Sequence, residues 1–76
     1  MELPPLSKED YFVVVFEYRY GSFGVLSKIF TDYGEALKNR ASRDFDVTDS
    51  FLRGFATELE AQNFINAHSS IVRYRG

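Results

Sequence analysis

The stretch FGVLSKIFTDY, residues 23–33, decides the fold because it reads two ways. Val25, Leu26, Ile29, Phe30 and Tyr33 recur at helical spacing with polar residues between them, the pattern of an amphipathic helix. Against that, Asp32 followed three residues later by Glu35 is a capping box, an N-cap acceptor with its reciprocal carboxylate. It stands directly before the helix formers Ala36, Leu37 and Lys38. Gly34 is tolerated in a first turn but costs about 1 kcal/mol in a helix interior. An internal echo supports the second reading: residues 30–36, FTDYGEA, align with residues 55–61, FATELEA. In the second copy a strand, Phe51–Ala56, feeds a helix, Thr57–His68. By the same logic the first copy is a strand, Phe23–Phe30, and a helix, Asp32–Ser42.

Upstream lies YFVVVFEYRY, residues 11–20, the longest run of strand formers in the chain. Its even positions are all apolar or aromatic, and its odd positions change from apolar to charged at Glu17. Alternate strand residues point to opposite faces, so this strand is buried on both sides early and on one side late. It reads as the central strand. Gly21-Ser22 fits a two-residue type II′ hairpin with Gly at the first central position. Residues 1–10, with Pro4-Pro5, read as an extended arm before a single domain over 11–76.

Downstream, residues 43–50 form a polar connector with room for a short edge strand. In the second helix Ala61, Phe64, Ile65 and His68 share one face, which suits packing on a sheet. Ile71–Arg75 closes the chain as a last strand. These readings predict an α+β domain: a four-stranded, mostly antiparallel sheet with two helices on one face, in the order ββαβαβ. The long-helix reading of residues 23–33 gives the ferredoxin-like order βαββαβ instead. Either order leaves the other sheet face open, and function is expected there.

Composition narrows the class. Seventy-six residues make one domain, whose core must come from side-chain volume because there is no cysteine. Eight Phe and five Tyr are more rings than so small an interior holds, so some are expected on a surface covered by a second copy or a partner. A homodimer is therefore predicted. A net charge of −2 with both signs interspersed does not suit a general polyanion binder. No segment approaches the ~20 apolar residues that span a bilayer. The basic and apolar regions of a signal peptide are missing too, and a cytoplasmic location is expected.

The residues that carry chemistry are few. With one His and no Cys, neither a zinc site nor a cysteine nucleophile has material, and no Ser sits in a glycine-flanked elbow. Neither cofactor nor metal is expected, and the chain does not read as an enzyme. Asp44, Asp46 and Asp49 lack the Gly and Glu of a calcium loop, so turn formation and solvation explain them. His68, at the end of the second helix, suits a carbonyl-capping role. The most suggestive feature is a repeated basic-aromatic cluster: Tyr18-Arg19-Tyr20, with Phe23 close behind, and Arg73-Tyr74-Arg75. These seven are the predicted partner-binding residues, since Tyr and Arg are enriched at protein interfaces.

Three short stretches bear resemblances. Arg53–Ala61 resembles the third strand and second helix of RNA-recognition motifs, although only Arg53-Gly54-Phe55 echoes their aromatic consensus. Together with the Tyr/Arg clusters this implies a single-stranded RNA or DNA binder as an alternative. Gly24–Ile29 resembles the helix start of ACT ligand-binding domains, a likeness that requires the long-helix reading. The run IFTDYGEALKNRA, residues 29–41, is similar to small phage-encoded accessory proteins, which implies a protein that inhibits a host or defence enzyme by binding it. The leading expectation is a non-catalytic protein-binding domain. A further alternative is sequestration of a small ligand, such as a nucleotide, at a dimer interface.

Overall fold

A computed structural model describes residues 9–41, 45–68 and 70–73. The elements run β1 (Tyr11–Tyr18), β2 (Phe23–Leu26), α1 (Tyr33–Lys38), β3 (Val47–Phe55), α2 (Glu58–Asn66) and β4 (Ile71–Val72). They build a small α+β domain around one four-stranded mixed sheet of order β3-β1-β2-β4. β1 pairs antiparallel with both β2 and β3, and β2 pairs parallel with β4. The expected arm over residues 1–10 lies outside the described residues except for Glu9 and Asp10.

Residues 23–33 divide as a strand, a cap and a helix start. β2 ends at Leu26, and the chain then rejoins β1 at Phe30, where Phe12 and Phe30 exchange backbone hydrogen bonds of 2.8 Å each. Asp32 follows as N-cap, accepting from the Glu35 N–H through Oδ2 at 3.1 Å. Thr57 does the same for Glu60 at 3.2 Å, so both halves of the echo are helix starts built alike. The first helix is shorter than the expected Asp32–Ser42. Asn39 closes it by donating its side-chain Nδ2 to the Glu35 carbonyl at 2.8 Å, and the Arg40 N–H donates to the Leu37 carbonyl at 3.2 Å in a final turn. The third strand is longer than expected, because Val47–Phe55 pairs with β1 along its whole length.

The hairpin differs from the expected two-residue turn. The Gly21 N–H donates to the Tyr18 carbonyl at 2.9 Å, and the Tyr18 N–H donates to the Ser22 carbonyl at 2.9 Å. Gly21 has φ +88°. This is the three-residue loop in which Arg19 and Tyr20 make the turn and a left-handed Gly closes it. The Gly serves as the loop's last residue and not as the first of a tighter turn.

The largest correction concerns the helices, which lie on opposite faces of the sheet. Val13, Val15 and Val25 pack with Ala61 and Ile65 of α2. Val14, Phe16 and Leu26 pack with Phe30 and with Ala36 of α1. β1 dictates this arrangement: Val13 through Phe16 are all buried, so both faces of the strand need cover. Two helices on one face would leave Val14 and Phe16 in water, at about 25 cal/mol for each Å² of apolar area. The open sheet face expected from sequence is therefore not present.

Candidate binding surface

Each helix covers only part of its face, and what extends past them is aromatic. On the α2 side, the register sets Val15 opposite both Val25 and Phe51, and Val25 opposite Ile71. One step further along β1, Glu17 stands opposite Phe23 and Asp49. Phe23, Phe51 and Ile71 thus share this face on three different strands, and they remain 46 %, 38 % and 47 % exposed. The Phe23 and Phe51 rings meet edge to face, with centroids 6.5 Å apart at 74°. Glu17 and Asp49 border this apolar patch. It is acidic on one side.

The hairpin tip carries the other predicted residues. Tyr18 and Tyr20 stack at 5.5 Å and 6°, on the side of the sheet opposite the patch. Arg19 donates to the Phe45 carbonyl at 3.0 Å, pairs with Asp46 at 3.5 Å and lies 4.3 Å above the Phe45 ring. Arg19 therefore braces the tip against the entry to β3. Phe45 is 80 % exposed and Tyr20 68 %.

Of the seven residues singled out by sequence, Tyr18, Arg19, Tyr20 and Phe23 gather at this end of the sheet. Arg73 does not join them. β4 runs antiparallel to β1, so Arg73, next after Val72, lies further toward the Tyr11 end of the sheet. Tyr74 and Arg75 lie outside the described residues. Sequence reasoning missed Phe51, Ile71 and Phe45. Phe45 had a signal, an aromatic ring flanked by aspartates in a polar connector. Phe51 and Ile71 had none, since only the strand register brings them beside Phe23.

Past the end of α2, His68 Nδ1 lies 2.8 Å from the Phe64 carbonyl, and its ring packs 4.4 Å from that of Phe64. Among the described residues, no three His, Cys, Asp or Glu side chains converge as a metal site requires, and no helix is long and apolar enough to cross a membrane. A cleft of about 170 Å³ is lined by Lys28, Ile29, Phe30, Thr31, Asp32 and Glu35. Small-molecule sites enclose roughly 300–1,000 Å³, so this cleft is small for a nucleotide. Both sheet faces carry a helix, and Arg19 is engaged by Asp46 and by the Phe45 ring. Compared with known proteins, the chain matches no family model, no curated protein and no solved structure.

Proposed function

We propose that this protein is a non-catalytic binding domain that acts by covering a surface of another protein, as small accessory inhibitors do, phage-encoded ones included. The observation that carries this reading is the patch of Phe23, Phe51 and Ile71, three large apolar side chains exposed side by side on three strands. A few large, well-packed side chains near the centre of a protein interface carry most of its binding energy. The acidic border of Glu17 and Asp49 calls for a partner surface that is apolar at its centre and basic at its rim.

Affinity capture from a cell extract tests this reading, run with the wild type and with Phe23→Ser/Ile71→Ser side by side. The wild type retains one protein at stoichiometric amount. The double variant, with an unchanged circular dichroism spectrum, loses at least nine-tenths of it. Equal retention by both proteins, or no stoichiometric protein with either, overturns the reading.

A further inference from the structure

β3 is an outer strand of the sheet, and among the described residues no strand pairs with its far edge. The direction of its backbone groups follows from the ladder. Phe12 exchanges both of its bonds with Phe30 on the β2 side, so even-numbered β1 residues point toward β2 and odd-numbered ones toward β3. Their β3 partners Phe51 and Arg53 then point inward, and Ser50, Leu52 and Gly54 point outward. Both outward groups of Ser50 are capped by side chains. Its N–H donates to Asp49 Oδ1 at 2.8 Å, and its carbonyl accepts from Arg40 Nη2 at 2.8 Å.

We propose that these two caps latch an edge whose other partner is β3 of a second copy of this chain, paired antiparallel with Phe51 on the two-fold axis. Charge selects that register. It sets Asp49 of each copy opposite Arg53 of the other, Phe51 opposite Phe51, and outward-facing Ser50 opposite outward-facing Leu52. Opposite charges facing each other across strands stabilise a pair, and like charges destabilise it. A two-residue change in one direction sets Arg53 opposite Phe51 and Asp49 opposite Phe55, and in the other it sets Asp49 opposite Phe51 and Arg53 opposite Val47. Only the register centred on Phe51 matches both charges.

The latch is built to be exchanged. On pairing, Asp49 gives up the Ser50 N–H and takes the Arg53 guanidinium of the second copy, and Ser50 bonds with the Leu52 backbone instead. Arg40 is incompletely satisfied where it lies, for its Nε is buried with no hydrogen-bond partner among the described residues. Release returns that group to water, which offsets only part of the loss of its bond to Ser50. Pairing also places two Phe51 rings together and joins the two apolar patches into one. The inference does not depend on the partner proposed above.

Disulfide trapping tests it, because the chain has no cysteine. Residues facing each other in a non-hydrogen-bonded antiparallel pair stand about 4.5 Å apart between Cα atoms, within reach of a disulfide. Phe51→Cys gives a covalent dimer on mild oxidation, and Leu52→Cys, which faces Ser50, stays monomeric. Adding Arg40→Gln to Phe51→Cys raises the rate of trapping roughly fivefold or more, the release of one competing hydrogen bond. Adding Arg53→Asp abolishes it. Trapping at Leu52→Cys as fast as at Phe51→Cys overturns the register, and an unchanged rate with Arg40→Gln overturns the latch. Sedimentation of the unmodified protein serves if the variants do not fold: a concentration-dependent dimer supports the pairing, and a monomer up to millimolar concentration overturns it.

Discussion

The ring of Tyr18 lies against the backbone of Gly24. A Cβ at Gly24 would stand 2.9 Å from Tyr18 Cε2 and 3.1 Å from its hydroxyl oxygen. Tyr18 also stacks on Tyr20, so the absence of a side chain at position 24 is what lets the hairpin fold its two tyrosines back onto the sheet. Gly24→Ala pushes the Tyr18 ring away and costs about 1–3 kcal/mol, the range for overpacking. Urea denaturation measures the loss, and altered tyrosine near-ultraviolet circular dichroism reports the broken stack.

Gly21 is the other glycine whose identity matters to the hairpin. At φ +88° a residue with a Cβ is strained, by roughly 1–2 kcal/mol. Gly21→Ala lowers stability by that amount, whereas Gly21→Asn loses less because Asn tolerates the left-handed region. Equal effects of the two substitutions would argue against the three-residue loop.

Phe16 is 4 % exposed and packs on the α1 side with Val14 and Leu26. Phe16→Ala costs about 3–5 kcal/mol. A domain of this size has roughly 4–11 kcal/mol in all, at about 0.05–0.15 kcal/mol per residue. The variant therefore loses roughly a third or more of the total, read as a large fall in the urea midpoint and in Tm by circular dichroism.

The helix caps give a separate test of the two-sided arrangement. Asp32→Ala and Thr57→Ala each remove an acceptor from one helix start and cost about 1 kcal/mol. Their helices pack on opposite faces in separate clusters, so the double variant should lose the sum to within about 0.5 kcal/mol. A marked departure from additivity in chemical denaturation would mean that the two helices touch.

The caps were legible in the sequence because a capping box is local chemistry: an acceptor, a Glu at fixed spacing, and helix formers after it. The central strand was legible for a similar reason, since Val13–Phe16 needs no partner to look buried. What that same run also implied is two-sided cover, and Val14 with Phe16 was the signal that α1 and α2 take different faces. The hairpin type was not legible, because Tyr20-Gly21-Ser22 is compatible with Gly at either end of a turn, and the closing hydrogen bonds choose. The binding surface was half legible. Tyr18, Arg19, Tyr20 and Phe23 are near neighbours in sequence, whereas Phe51 and Ile71 join Phe23 only through non-local pairing.

Hydrogen exchange on the protein alone and in complex with the protein it captures measures the central claim most directly. Exchange is expected to slow in β2 and β4 around Phe23 and Ile71 and in β3 around Phe51, with α1 unchanged. Slowing confined to α1 around Tyr33 and Leu37, or no change at the three strands, would contradict it.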